Sequence, residues 1–273
     1  MKILNNRVQS ENQEEKIVQL QTNNKGEIIK PQYLIIHYTA GRSAESSAST
    51  FQNPKEEKSA HIVIGRDGKI IQLIDFNRKA WHAGKSRWAD LVGLNAYSIG
   101  IELDNPGKLR NVNDKYYSWF GAEYNKNNVL HAKHKHQDTF GDWHTFTEEQ
   151  LKACEMLSKV LVAKYNLKDI LGHEDIAPHR KEDPGPAFPM ESFKASVLGR
   201  NDDVGDVFIV NTNDVNFRKG AGTTFESMGK LKQNTKVEYI ESNNGWFHVF
   251  IVDQNVKLEE NIGWINSSLL TKK

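Results

Sequence analysis

Three side chains in this sequence stand where a metal ion could be held. His37 closes the aliphatic run Tyr33-Leu34-Ile35-Ile36, His173 closes the run Asp169-Ile170-Leu171-Gly172, and Asp183 precedes Pro184-Gly185-Pro186. Side chains at the ends of neighbouring strands converge in space even when, as for His37 and His173, they lie 136 residues apart in the chain. Two imidazoles and one carboxylate leave the fourth position of a tetrahedral zinc open for water, the coordination of a hydrolytic rather than a structural ion. Taken singly, each histidine is equally well a satisfied polar residue at a strand end. Glu102 lies near the end of Ser98-Ile99-Gly100-Ile101-Glu102-Leu103. A desolvated carboxylate beside such a metal could accept the proton of the attacking water and pass it to a leaving nitrogen.

Positioning these groups requires a buried sheet. Tyr33 to Ile36 is a continuous β-branched and aliphatic run, the pattern of a covered central strand, and Ser98 to Leu103 is a second one. His61 to Ile64 and Ile70 to Ile74 flank Asp67-Gly68 and predict a hairpin with a tight turn. Ala44 to Phe51 predicts a short helix capped by Ser43. Leu151, Cys154, Leu157, Leu161 and Tyr165 recur at helical spacing within Thr147 to Tyr165, which places the single cysteine, Cys154, on a packed helix face. One cysteine excludes an internal disulfide framework and a cysteine-only zinc cluster.

Strands alternating with helices imply an α/β (α+β) domain, a mixed central sheet flanked by helices, over residues 31–200. Residues 1–30, rich in Asn, Gln, Glu and Lys, are expected to form a polar, loosely ordered lead-in. Residues 105–143 fit no period and are expected to be an elaborated loop. His131 and His134 within it have the spacing of a helical metal pair, with His136 beside them, although a solvated loop accounts for the stretch as well. After the polar linker Asn201 to Asp206 the helical period disappears, and short β-rich pieces separated by turns predict a small all-β barrel over 201–273.

The run Gly172 to Phe188, the strand ending in His37, the segment Trp81-His82-Ala83-Gly84 and the strand Ser98 to Leu103 together closely resemble the zinc-dependent N-acetylmuramoyl-L-alanine amidases of the type 2 family. The resemblance covers roughly residues 31–198. It implies Zn2+ on His37, His173 and Asp183, with Glu102 as the base. It also implies that Lys181, two residues before Asp183, faces the developing oxyanion; on its own this lysine is a solvated charge. The activity implied is hydrolysis of the amide between N-acetylmuramic acid and L-alanine in peptidoglycan or muropeptides.

His61 and His82 fall in segments that line the substrate cleft in that family, so either could contact substrate or support the site. Trp81 could face a sugar or fill core, and Arg66 in the hairpin turn could meet a muropeptide carboxylate or be solvated. The piece 105–143 follows the Glu102 strand and is expected to wall the substrate groove.

Residues 205–271 resemble bacterial SH3-like (SH3b) domains through Asp214 to Gly222, Val237-Glu238-Tyr239, Asn244 to Val249 and Gly263-Trp264-Ile265. The resemblance implies a cell-wall peptide target, on which Trp246 and Trp264 could stack, although both also suit a barrel core. The proline usual after Arg-x-Gly in those domains is absent.

The balance of 36 Lys+Arg against 35 Asp+Glu gives a net charge of +1, so no global field directs the chain to nucleic acid or to an anionic membrane. The amino terminus turns polar after Leu4 without the apolar core of a secretory signal, and the expected location as synthesised is the cytoplasm. A peptidoglycan-recognition module that binds without cutting is the alternative function on the same scaffold. A nuclease using the His-rich stretch is a third.

Overall fold

A computed structural model of the chain describes residues 1–199, 207–243, 245–253, 255–258 and 260–272. The chain divides into two units, Met1–Gly199 and Arg200–Lys273. The linker expected at Asn201 to Asp206, and Asn244 of the second unit, lie outside the described residues.

The first unit is built on a six-stranded mixed sheet, in the order Asp169–Gly172, Tyr33–Tyr38, Ser98–Leu103, Ile62–Ile64, Ile70–Gln72, Ile17–Gln19. The first four strands in this order run parallel, and the Ile62–Ile64/Ile70–Gln72 hairpin is antiparallel. The parallel strands are buried on both faces, which explains why they read as unbroken aliphatic runs. Helix Glu148–Tyr165, capped by Thr147, lays Cys154, Leu157 and Leu161 against Leu34, Ile99, Ile101 and Ile170 on one face of the sheet. Each such aliphatic side chain withdrawn from water contributes roughly 1.5–3 kcal/mol. Helix Ala44–Gln52 closes part of the other face with Ala44, Ala48 and Phe51, and its capping box joins Ser43 and Ser46. Burial pushes the Cys154 thiol up to about 12, so this cysteine is an inert packing residue.

Two expectations are corrected. The first thirty residues are not a loose lead-in, because Ile17–Gln19 is the outer strand of the central sheet. The buried Thr22 and Asn24 side chains also donate to the carbonyls of Phe51 and Asn53. Polar composition hid this segment because few of its residues are apolar, yet Val8 is buried in the main core with Met1, Ile3 and Ile17 packed against it. The piece after Asn105 is not an irregular loop but a five-stranded antiparallel sheet, in the order Glu123–Tyr124, Lys115–Tyr117, Lys108–Val112, Phe140–His144, Val129–Lys133. His131 is therefore on a strand, paired to Asp142 at 2.7 Å and stacked on Phe140, so the helical His131/His134 pair does not exist.

The second unit is a seven-stranded antiparallel sheet around Val215, Phe217, Leu231, Val237, Val249 and Ile265. Trp246 and Trp264 are half-buried, and one face of Trp264 is covered by the parallel imidazole of His248 at 4.6 Å. Among the described residues no helix is long and apolar enough to cross a membrane.

Candidate active site

The parallel register sets the site. His37 is paired directly with Glu102, and Gly172 with Ile36, so His173, His37 and Glu102 emerge side by side at the carboxyl ends of three adjacent strands. That is where open α/β sheets place their ligands. The chain then turns from Gly172 into the short helix His173–Ile176, with the Asp175 carboxylate accepting from the Gly172 amide at 2.7 Å. The returning loop is held on this helix by Glu174 N–H to the Asp183 carbonyl (2.9 Å) and Lys181 N–H to the Ala177 carbonyl (3.1 Å). A Cβ on Gly172 would meet Pro184 Cδ at 2.8 Å, so glycine is what lets the Asp183 loop close on the strand end.

His37 Nδ1, His173 Nδ1 and Asp183 Oδ2 form a triangle with edges of 3.0, 2.9 and 2.9 Å, all three residues being buried. Ligand atoms about 2.0–2.1 Å from one tetrahedral ion stand roughly 3.3 Å apart, so the triangle needs only slight expansion to close on zinc. Among the described residues no other group of three such donors gathers in this way. Burial, with His173 close by, pushes His37 down to about 4, so its imidazole is neutral, as a ligand must be. The donor set fits a divalent metal with nitrogen and oxygen preference.

Glu102 lies beside this triangle in a cleft of about 920 Å³ that both line. Its Oε2 is buried and has no hydrogen-bond partner; among the described residues only Gln150 Oε1 and Ser158 Oγ share that state, and neither lines the cleft. Burial, then the charge of Asp183, pushes the Glu102 carboxyl well above the ordinary range, against the ammonium groups of Lys181 and Lys58. Lys181 lines the same cleft, and its charge acts on both His37 and Glu102.

The remaining sequence-derived candidates separate. Trp81 is half-buried and lines the cleft. His82 also lines it, but its ring bonds His37 Nε2 at 2.9 Å. His61 is not a substrate contact: it is wholly buried, accepts from the Gly100 amide at Nδ1 and donates from Nε2 to the Arg78 carbonyl. Arg66 is not at the cleft either, since its guanidinium bonds His144 Nδ1 and the Thr145 carbonyl. It braces the hairpin turn against the end of the inserted sheet.

The inserted piece lines part of the cleft through Trp119, His134, His136 and Gln137, with contacts that were not foreseen for these residues. Trp119, 76% exposed, lines the cleft with its indole N–H on the Ala40 carbonyl at 2.8 Å. His134 and His136 also line the cleft and hold Glu174, the neighbour of His173, by its carboxylate and its carbonyl. His134 Nδ1 accepts from the His136 amide, so its Nε2 carries the proton and donates to the Glu174 carboxylate at 2.6 Å. Lys135 adds ion pairs to Glu174 and Asp175. No spacing rule signals these contacts, because they join an insertion to a distant helix.

The sequence pattern of the N-acetylmuramoyl-L-alanine amidase family matches residues 27–186, more than half of the chain, and that of the bacterial SH3 domain matches 213–271. The chain is similar to N-acetylmuramoyl-L-alanine amidase AmiD of Escherichia coli (strain K12), 32% identical over 192 residues that cover 66% of this chain and 59% of the relative. It is also similar to 1,6-anhydro-N-acetylmuramyl-L-alanine amidase AmpD of the same organism, 32% identical over 141 residues, 51% of this chain and 58% of that one. The chain thus spans less than two thirds of the length of these curated relatives. A solved complex of AmiD from E. coli with anhydro-N-acetylmuramic acid-L-Ala-D-gamma-Glu-L-Lys aligns with a TM-score of 0.47 and 30% identity over 62% of this chain and 58% of that one. The match over 27–186 includes the strand ends and the loop that carry His37, Glu102, His173 and Asp183, and on it the chain belongs to the N-acetylmuramoyl-L-alanine amidase family and carries a bacterial SH3 domain as its second unit.

Proposed function

We propose that the chain hydrolyses the amide between the lactyl carboxyl of N-acetylmuramic acid and L-alanine, with zinc held by His37, His173 and Asp183. The observation that carries this is the unpartnered, buried Glu102 carboxylate beside a triangle of neutral-imidazole and carboxylate donors in one cleft. A purely binding surface gains nothing from a desolvated, unsatisfied carboxylate, which costs about 1–3 kcal/mol or more to keep. This observation favours catalysis over recognition alone.

When bound, zinc supplies an electrophile for the amide carbonyl and makes water a stronger acid. Glu102 takes a proton from the attacking water and returns it to the alanine nitrogen as the C–N bond breaks, so the lactyl carboxylate and a free amino terminus are the products. Its raised affinity for a proton suits a group that must both take and give one near neutral pH. Lys181 balances the negative charge that grows on the carbonyl oxygen. The names of the relatives and of the family support the bond chosen, and the SH3 unit supports a wall-derived substrate.

The test uses the zinc-loaded chain and Glu102→Gln. Release of peptides with amino-terminal L-alanine from peptidoglycan, reduced about 10²–10⁴-fold in the variant, is expected. Equal release by the variant, or none by the wild type, would contradict the proposal.

A further inference from the structure

In the segment Trp81-His82-Ala83-Gly84, both Trp81 and His82 line the cleft. The hydrogen bonds behind the metal triangle show what its two central residues do. The Ser98 hydroxyl donates to the Leu94 carbonyl at 2.6 Å, which uses its only proton, so towards His82 Nε2 at 3.3 Å it can act only as acceptor. His82 therefore carries its proton on Nε2 and presents a lone pair at Nδ1. That lone pair faces His37 Nε2 at 2.9 Å, so His37 is protonated on Nε2 and bare on Nδ1. On the other imidazole, His173 Nε2 lies 3.1 Å from the Ala83 carbonyl, an acceptor only, which fixes the same tautomer. Two consecutive residues thus point both Nδ1 lone pairs at Asp183. The segment is itself pinned: the amides of His82 and Ala83 both donate to Asn95 Oδ1, at 3.0 and 2.7 Å. The ring also depends on Gly100, where a Cβ would lie 2.5–2.8 Å from three His82 ring atoms.

We propose that His82 is the positioning residue of the metal site, holding His37 as the Nε2–H tautomer through a Leu94–Ser98–His82–His37 chain while the Ala83 carbonyl does the same for His173. The inference rests on His37, His173 and Asp183 being the metal ligands. Partners of this kind are worth about 10–100-fold in metal affinity.

The experiment measures zinc affinity of the full chain by competition with a chromophoric chelator, for wild type, His82→Ala, His82→Asn and Gly100→Ala, with thermal melting of each metal-free protein as a check on folding. His82→Ala should weaken zinc binding about 10–100-fold. His82→Asn, whose Oδ1 can accept in place of Nδ1, should recover most of the loss, and Gly100→Ala should weaken binding by displacing the ring. Where a variant fails to fold, nitrogen-15 spectra of the metal-free wild type decide: His37 protonated on Nε2 supports the proposal and protonation on Nδ1 overturns it. Unchanged zinc affinity in folded His82→Ala also overturns it, while amide cleavage by the wild type would leave the functional reading standing. A wild type that binds no zinc overturns both.

Discussion

Glu102 is the residue at which stability and function oppose each other. Its folded-state pKa is raised by burial and by Asp183, so the folded chain favours the protonated form. The sign follows: stability associated with this group is full below the unfolded-state value of about 4.3 and is lost as pH rises through the raised folded value. Glu102→Gln should therefore stabilise the metal-free protein at neutral pH, by roughly 2–4 °C for each kcal/mol recovered, while removing turnover. Melting curves in chelator at pH 5 and pH 8 check this, and the gain should be larger at pH 8. In the same way the acid limb of the activity profile should follow ionisation of Glu102, and that limb should vanish from the residual activity of Glu102→Gln. The convergence of His37, His173, Asp183 and Glu102 was legible in the sequence because each lies at the end of a buried strand or precedes a Pro-Gly-Pro turn, whereas their roles were implied by the family resemblance. For His82 a supporting role and a substrate contact were both open, and the bond from Ser98 was not legible, because a hydrogen-bond chain across adjacent segments leaves no mark in spacing. For His61 the same two roles were open, and its two nitrogens, both spent on backbone groups, leave only the supporting one.

At the scale of elements, the parallel strands declared themselves through unbroken aliphatic runs, whereas the inserted sheet did not. Its strands are short, two to five residues, and mostly polar on the outside, so neither the helical period nor clean alternation survives. Its attachment to the site runs through His134 and Glu174, both buried. His134→Ala should cost about 1.5–3 kcal/mol, the range for hydrogen bonds to charged groups, in denaturant unfolding of the first unit. It should also loosen zinc binding, since Glu174 follows His173 directly. Trp119 offers the cleft an exposed indole whose polar edge is already held by Ala40. Trp119→Ala should raise KM for glycan-bearing substrates several-fold with kcat little changed, the mark of a group that binds ground and transition states alike. Equal loss in kcat would contradict that role.

At the scale of the whole molecule, the two units have separate cores: the apolar clusters of the sheet domain and of the barrel share no residue. A chain ended at Gly199 should therefore fold and cleave soluble muropeptides at the rate of the full chain, but lose activity on insoluble sacculi, because tethering to a wall-bound partner raises effective concentration. Equal activity on sacculi would remove the targeting role from the SH3 unit. The division into a mixed-sheet domain and a barrel was legible from the change of period near residue 201. The amino-terminal strand was not, since its place at the sheet edge is set by pairing with Ile70–Gln72 rather than by its own composition.

The most direct test of the central claim is mass spectrometry of products formed by the zinc-loaded full chain from purified muropeptides and from intact sacculi, with a chelator-treated sample alongside. Free peptides beginning with L-alanine, saccharides that keep an unmodified lactyl carboxylate, and no release after chelation are expected. Cleavage at a glycosidic or peptide–peptide bond, or release that survives removal of the metal, would contradict it.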